Sequence, residues 1–210
     1  MTKTEQQPHS HKDLLPESDR PHIGVLAIQG NFASHAQALT EAGADPVESR
    51  KPDQLAGMDG LIDPGGESTT ILRFLEKHQF FEALQDFCGK KPIFGTCAGA
   101  ILLAREVLNP KQRSLGLLDA VVERNAYGRQ IDSAIVTAET TLPGGPLEMV
   151  FIRAPRIVKT GPAVEVLARR EGFPVLVRQG SILAATFHPE LSNDRRVHRL
   201  FVEAVAQTKK

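Results

Sequence analysis

The sequence lacks an excess of charge of either sign and lacks any long apolar run. Its 25 Lys and Arg residues balance its 25 Asp and Glu residues, so no long-range field favours nucleic acid or an anionic lipid surface. Apolar runs such as Ile23–Ile28 and Ile182–Ala185 are far shorter than the roughly 20 residues that cross a bilayer. We therefore expect neither a nucleic-acid partner nor a membrane association.

Cysteine is also scarce, with only Cys88 and Cys97 in the chain. No apolar export signal precedes them, so we expect a cytoplasmic protein in a reducing compartment, where a disulfide would be unusual. At least one of the two thiols is therefore expected to be free to react.

The N-terminal residues are polar and lack the apolar stretch of a secretory signal. We interpret residues 1–21 as a disordered tail and residues 22–207 as a single domain, long enough to bury most of its unfolded surface around one core. His9 and His11 lie on this tail, and two histidines on a flexible polar segment are usually solvated. We expect no metal site and no cofactor.

The first half of the chain alternates between strand and helix patterns. The apolar run Ile23–Ile28 is typical of a strand covered on both faces, and a helical pattern begins after it at Asn31. A second switch follows Ile93–Gly95, with a helix predicted from Ala98 to Val107. This alternation predicts an α/β fold with a mostly parallel central sheet, helices on both faces and active residues at the carboxyl ends of strands.

Further strand candidates complete the predicted sheet. Pro46–Glu48 and Leu61–Asp63 are interpreted as short edge strands. In the second half the strand candidates follow one another closely, which predicts a smaller antiparallel flap or a mixed edge of the sheet. These candidates are Ala120–Glu123, Ile131–Ala138, Val150–Ala154, Ile157–Lys159, Val164–Ala168, Pro174–Arg178 and Ile182–Phe187.

The segment Gly95-Thr96-Cys97-Ala98-Gly99 lies between an apolar strand and an apolar helix. A strand-to-helix turn with glycine two places on either side is typical of a nucleophile elbow, here with sulfur in place of oxygen. The glycines let the backbone pass a strained corner, and the start of the helix favours thiolate over thiol. This spacing indicates that Cys97 can attack a carbonyl carbon.

The competing interpretation of either cysteine is a small buried side chain, the common fate of an intracellular cysteine. It suits Cys88, which lies in an ordinary amphipathic stretch, but it does not account for the glycine spacing around Cys97. We therefore predict that Cys97 is the nucleophile and Cys88 is structural.

A candidate base and its partner follow the last strand candidate, in His188-Pro189-Glu190. Residues two apart in an extended chain point the same way, so Glu190 can orient one ring nitrogen of His188 while the other takes the thiol proton. A lone histidine is more often structural. We assign that role to the histidines without such a context, which are His22, His35, His78 and His198.

The turn Pro64–Ser68 contains adjacent glycines and leads into a helical pattern. One interpretation is a plain turn. The functional interpretation is that the N–H of Gly66, with the N–H of Ala98 after the nucleophile, forms an oxyanion hole for a tetrahedral intermediate. The turn is too short for a phosphate-binding loop and lacks its lysine, so a nucleotide site is not supported.

The order of motifs, a Gly-x-Cys-x-Gly turn followed much later by His-x-Glu, resembles that of the class I glutamine amidotransferases. Other segments resemble, more narrowly, the family of glutaminase subunits of pyridoxal 5′-phosphate synthase, over about Ile23 to Val205. These segments are Ile23–Gly30, Pro64–Thr70, Phe94–Gly99, Val122–Asn125, Gly128–Gln130 and Phe151–Pro155.

The resemblance implies that Cys97, His188 and Glu190 hydrolyse L-glutamine as a catalytic triad. An arginine fork can clamp the substrate α-carboxylate, and Glu67 can pair with the α-ammonium group. Without the motifs the two arginines would be interpreted as solvated surface charges. The residues that the resemblance assigns to substrate binding are Gly66, Glu67, Ser68, Arg124, Ile152 and Arg153.

The resemblance also implies a flavodoxin-like three-layer fold and a hetero-oligomer with a (β/α)8-barrel synthase subunit that receives the ammonia. Two alternatives stay open: a glutaminase that serves another biosynthetic synthase, and a catalytically quiet subunit that only binds its partner or glutamine. The intact triad favours an enzyme. One departure from the family pattern is Asp63, where we expect an apolar residue.

Overall fold

The computed structural model describes residues 20–126 and 133–209. Residues 1–19 of the predicted tail and the Gly128–Gln130 segment lie outside the described residues. The first half alternates between strands and helices, with a 3-10 helix at Pro52–Gly57. Its elements are β1 (His22–Leu26), α1 (Phe32–Glu41), β2 (Asp45–Ser49), β3 (Gly60–Asp63), α2 (Ser68–Lys77), α3 (Phe80–Cys88), β4 (Ile93–Thr96) and α4 (Ala98–Leu103).

The second half consists mainly of strands and closes with a helix. A 3-10 turn at Pro189–Leu191 separates the last strand from that helix. The elements are β5 (Ala104–Leu108), β6 (Leu118–Glu123), β7 (Ala134–Ala138), β8 (Leu147–Phe151), β9 (Arg156–Thr160), β10 (Glu165–Arg170), β11 (Phe173–Gln179), β12 (Ile182–Ala185) and α5 (Arg196–Thr208).

A seven-stranded sheet in the order β10-β11-β12-β4-β3-β1-β2 forms the centre of the fold. The pairs from β12 to β2 are parallel, whereas β11 pairs antiparallel with β10 and β12. The predicted α/β class with a mostly parallel sheet is therefore confirmed, and its antiparallel part lies at one edge.

Helices cover both faces of this sheet because successive strand residues point to opposite sides. Leu61 and Ile93 pack in one apolar cluster with residues of α2, α3 and α4. Their neighbours Ile62 and Phe94 pack in a second cluster with residues of α1 and α5. The continuous apolar character of these short strands thus follows from burial on both faces. Among the described residues, no helix is long and apolar enough to span a membrane.

Three strand and helix predictions need correction. β2 is an edge strand as expected, but β3 lies inside the sheet between β1 and β4, with all four residues buried. The helix predicted to reach Val107 ends at Leu103, because the chain turns extended at Ala104 and β5 pairs with β6. The strand predicted at Val150–Ala154 lies earlier, as β8, where it pairs with β7.

Asp63, where an apolar residue was expected, is a fully buried carboxyl group at the end of β3. Neither of its side-chain oxygens has a hydrogen-bond partner among the described residues. Burial therefore raises the pKa of Asp63 from 3.8 to about 7. A carboxylate in this position destabilises the fold when it is ionised.

We expect this carboxyl group to make stability fall as pH rises between about pH 4 and pH 7. Its folded pKa lies above its unfolded value, so the folded state binds the extra proton in this window, and the loss reaches up to about 4 kcal/mol. Asp63→Asn should remove this part of the pH dependence, as measured by urea unfolding at several pH values.

Asp59→Asn is the matched control for this measurement. The pKa of Asp59 is lowered, because hydrogen bonds from Lys209 and the His22 backbone outweigh its partial burial. Removing Asp59 should therefore leave the fall in stability between about pH 4 and pH 7 in place. Parallel stability curves for wild type and Asp63→Asn would contradict the assignment.

Candidate active site

Cys97 occupies the sharp turn between β4 and α4, with φ 50° and ψ −102°. Its backbone N–H donates to the Ala185 carbonyl on β12 over 2.8 Å. A Cβ at Gly99 would come within 2.1 Å of the Asp63 carbonyl oxygen, and one at Gly95 within 2.6 Å of the Gly99 backbone. Glycine is required at both positions because β3, β4 and α4 meet here backbone to backbone.

His188 and Glu190 lie beside the turn, just after the end of β12. The His188 backbone N–H donates to the Val150 carbonyl over 2.8 Å, and His188 Nδ1 lies 2.8 Å from Glu190 Oε1. The extended chain expected for His188-Pro189-Glu190 is wrong. Proline instead begins the 3-10 turn, a position that suits its restricted φ, and this turn brings the carboxylate against the imidazole.

The other side of the His188 imidazole faces the Cys97 sulfur. Burial by itself lowers the pKa of His188, but hydrogen bonds to the Cys97 sulfur and to Glu190, together with their negative charges, raise it well above its usual value. The imidazole of His188 therefore lies between the sulfur and the carboxylate, where it can take a proton from Cys97 while Glu190 stabilises the imidazolium that forms.

Glu190 is buried, yet it is held in its ionised form. Burial alone raises the pKa of this carboxyl group, but its contacts with His35 and His188 lower the pKa to about 2. The side chain of Asn31 also donates to Glu190 Oε1, over 3.4 Å. Glu190 is thus a fixed negative charge behind the imidazole of His188.

The sulfur of Cys97 opens into a cleft of about 280 Å³. The structure brings Cys97 and His188 together there with every residue predicted to hold a substrate, whereas Glu190 and Ala98 lie buried behind the cleft wall. The predicted substrate residues on the wall are Gly66, Glu67, Ser68, Arg124, Ile152 and Arg153.

Glu67 has a structural task besides any contact with a ligand. Its carboxylate caps α2 by accepting from the N–H groups of Thr69 and Thr70, over 3.0 and 2.8 Å. Burial, the largest single effect, opposes ionisation, but the hydrogen bonds from the Thr70 hydroxyl and from the two N–H groups together lower the pKa of Glu67 to about 2. Arg124 Nη2 reaches the same carboxylate over 3.2 Å and Thr69 Oγ1 over 2.8 Å. The two charges therefore hold each other at the rim of the cleft.

The predicted oxyanion turn is tied to the loop after β1. Gln29 Oε1 accepts from the Glu67 N–H over 3.0 Å, and a Cβ at Gly30 would lie 1.8 Å from the Gly65 carbonyl oxygen. A Cβ at Gly65 would lie 2.6 Å from His188 Cε1. Gly66 was predicted to serve the reaction. Gly65 is equally required, because the absence of a side chain there leaves room for the imidazole of His188.

Arg153 follows β8 with φ 44°, a conformation that side chains other than glycine rarely adopt. It is exposed, and the neighbouring Ile152 is half-buried. Cys97 and Arg153 thus carry two left-handed backbone conformations on the same cleft. Strain of this kind concentrates at sites where a side chain must be aimed at a ligand.

The structure adds two residues that sequence reasoning did not place in the site, Asn31 and His35. His35 was interpreted as structural, but its Nε2 lies 3.3 Å from Glu190 Oε2. Asn31 was interpreted only as the start of a helix, yet its side chain turns to Glu190 instead of capping α1. Their position on the first helix after β1 was the available signal, since that helix begins at the carboxyl edge of the sheet.

The SNO glutamine amidotransferase family matches the chain over residues 25–207. A pyridoxal 5′-phosphate synthase subunit, PdxT, from Koribacter versatilis is 61% identical over 183 residues, which cover 87% of this chain and 95% of the relative. A subunit of the same name from Thermotoga neapolitana is 51% identical over 185 residues, covering 87% of this chain and 98% of the relative.

Solved structures agree with these sequence relatives. A crystal structure of a glutamine amidotransferase superposes with a TM-score of 0.81 at 48% identity, covering 87% of this chain and 98% of that chain. A GMP synthase component from Thermoplasma acidophilum superposes with a TM-score of 0.66 at 17% identity, over 90% of this chain and 96% of that chain. The second similarity shows a shared fold alone.

We expect the two thiols to differ in reactivity. Burial raises the pKa of the Cys88 thiol to about 12, with a further contribution from Asp63, so it stays protonated, whereas Cys97 lies on the cleft beside His188. Brief treatment with iodoacetamide at neutral pH, followed by peptide mass spectrometry, should show alkylation of Cys97 well before Cys88. The reverse order would exclude Cys97 as the activated thiol.

Proposed function

The chain belongs to the SNO glutamine amidotransferase family, and on this premise we propose that it hydrolyses the side-chain amide of L-glutamine and supplies the ammonia for pyridoxal 5′-phosphate synthesis. The observation that carries the proposal is the Cys97–His188–Glu190 arrangement on a cleft lined by the predicted substrate residues. Its relatives include subunits of pyridoxal 5′-phosphate synthase, which supports the proposal that the ammonia is used in that synthesis.

In the first half of the reaction, the Cys97 thiolate attacks the amide carbon of glutamine. The carbonyl oxygen becomes an oxyanion, which the N–H groups of Gly66 and Ala98 are proposed to bind. Ala98 is the first residue of α4, so its N–H has no partner within that helix. His188 then gives its proton to the leaving nitrogen, and ammonia departs from a γ-glutamyl thioester.

In the second half, water replaces ammonia. His188, now neutral, takes a proton from the water as it attacks the thioester carbon, and collapse of the new tetrahedral intermediate expels the Cys97 thiolate and releases glutamate. Glu190 stabilises the imidazolium each time it forms and keeps Nδ1 as the protonated nitrogen. No further group has to carry a proton in this scheme.

The charged rim of the cleft is the proposed site of the substrate backbone. We propose that Arg124 and Arg153, which line the cleft, bind the α-carboxylate and that Glu67 binds the α-ammonium group. Because Arg124 and Glu67 already pair with each other over 3.2 Å, a bound amino acid would share both partners of an existing ion pair. Such a site favours a zwitterion over a simple amine or a simple acid.

We propose that the hetero-oligomeric partner is a (β/α)8-barrel synthase subunit. Ammonia released into water at neutral pH is largely protonated and lost as a nucleophile, so hydrolysis is useful only when the acceptor is docked. The Gln29–Gly30 loop and the Pro64–Ser68 turn are the proposed switch, since Gln29 holds the turn through the Glu67 N–H. Docking of the synthase would complete the oxyanion hole through this contact.

We expect His188→Ala to be more damaging than Glu190→Gln. The first change removes the proton carrier and should lower turnover by about a thousandfold or more, whereas the second weakens its orientation and should cost about a hundredfold. Both are measured as glutamate release under one set of conditions. His78→Ala, an exposed histidine stacked on Phe74, is the control and should keep wild-type turnover. Near-normal activity in His188→Ala would remove it from the mechanism.

The partner is tested by adding the purified synthase to the chain. Glutamate release should rise with synthase concentration and saturate, and a complex should appear by gel filtration. The Cys97→Ala complex should make pyridoxal 5′-phosphate from high ammonium but not from glutamine. If saturating synthase neither binds nor changes glutaminase activity, the ammonia serves another synthase even though the triad stands.

A further inference from the structure

Behind the triad lies a pair of imidazoles that the reaction described above does not use. His35 of α1 and His198 of α5 are both fully buried, and His35 Nδ1 lies 3.1 Å from His198 Nε2. Phe94 packs edge-on against both rings, with centroid distances of 6.4 and 6.1 Å. Burying two polar rings in apolar surroundings costs desolvation free energy, which hydrogen bonds must offset. The partners of these rings therefore indicate which groups the pair stabilises.

The pair reaches the triad through the far oxygen of Glu190. Its Oε1 is occupied by His188 and Asn31. Its Oε2 is buried and has no aligned hydrogen bond within residues 20–126 and 133–209, but it lies 3.3 Å from His35 Nε2. The same nitrogen lies 3.1 Å from Thr96 Oγ1. The ring nitrogen of His35 is therefore shared between the carboxylate and the residue before the nucleophile.

Electrostatics decide which nitrogens of the two rings carry hydrogen. A lone pair on His35 Nε2 would face an ionised carboxylate at 3.3 Å, so this nitrogen must be the N–H donor. Burial, the largest effect, lowers the pKa of His35 to about 4, so the ring is neutral and its Nδ1 is an acceptor. His198 Nε2 must then donate to His35 Nδ1.

The charged groups around the pair are consistent with two neutral rings. Glu190 raises the pKa of His35 while His188 lowers it, and both effects are smaller than that of burial. For His198, burial and then His35 and Arg195 lower the pKa, and only Glu190 opposes them. The chain of donors therefore runs in one direction, from His198 through His35 to the carboxylate.

We propose that His35, oriented by His198, is a positioning residue that holds Glu190 Oε2 so that Oε1 stays aimed at Nδ1 of His188. The proposal rests on the proposed glutaminase function and extends it by one residue beyond the triad. In the absence of the His35 N–H, no donor would face Glu190 Oε2, which has no aligned hydrogen bond among the described residues. The carboxylate would then be free to rotate, and its ionised form would be less favoured.

The first test compares His35→Phe, which keeps an apolar ring but no donor, with His35→Gln, whose amide N–H lies near the position of Nε2. Both are assayed for glutamine hydrolysis with the synthase at saturation. We expect His35→Phe to lower kcat by about tenfold to about a hundredfold with KM within about twofold of wild type. The basic limb of its kcat/KM profile should move down by about one pH unit, since a Glu190 carboxylate that is free to rotate stabilises the imidazolium of His188 less.

The Gln variant and a threonine control separate positioning from packing. His35→Gln should recover most of kcat and return the basic limb towards the wild-type pH. Thr96→Val removes the other contact of His35 Nε2 and should leave the basic limb in place. A wild-type profile in His35→Phe, or a His35→Gln variant as impaired as His35→Phe, would overturn the proposal.

A second measurement needs no substitution. In wild-type protein with ¹⁵N-labelled histidine, the ring nitrogen shifts should identify His35 and His198 as neutral Nε2–H tautomers across the pH range of activity. An Nδ1–H tautomer or a charged ring at His35 would overturn the proposal even if every variant failed to fold. This measurement is also independent of activity: a wild-type complex that hydrolyses no glutamine would refute the proposed function, and the tautomers would still decide the role of His35.

Discussion

The close backbone crossing at the Cys97 turn is the constraint on which the rest of the site depends. α4 starts directly over the end of β3, so closely that a Cβ at Gly99 would overlap the Asp63 carbonyl. This contact places Cys97 at the carboxyl edge of the parallel sheet, where the loops after β1, β3 and β12 also begin. Each of those loops then supplies one part of the site: Gln29, the Gly65-Gly66 pair and His188.

The polar groups under the cleft form a continuous series of contacts from Cys97 to His198. The Cys97 sulfur, the His188 ring and the Glu190 carboxylate form the reacting part, and the His35–His198 pair continues the row into the apolar layer beneath α1 and α5. A buried charge is tolerated when hydrogen bonds satisfy it on each side. Asp63, at the end of the strand beneath the Cys97 turn, has no such partner among the described residues. Its ionised form is therefore disfavoured, and burial raises its pKa.

Much of this arrangement was predictable from the order of residues. Apolar runs without alternation indicated a sheet covered on both faces, and the glycine spacing at Gly95 and Gly99 identified the nucleophile turn. Such patterns are local, because a strained turn or a doubly buried strand selects its own residues. The assignments of His188 and Glu190 as partners of Cys97 came from the same kind of short-range pattern and from family resemblance, and they stay predictions for experiment.

Tertiary structure alone decided which distant groups meet. The sequence places His35 only on the helix after β1, and its contact with Glu190, a residue far along the chain, is created by sheet order and helix packing. The end of α4 at Leu103 likewise follows from the pairing of β5 with β6, which overrides an apolar pattern that also suits a helix. The sequence by itself determined the fold class and the reactive turn, since these depend on local burial and backbone strain. The buried support behind Glu190 was decided by packing between elements remote in the chain.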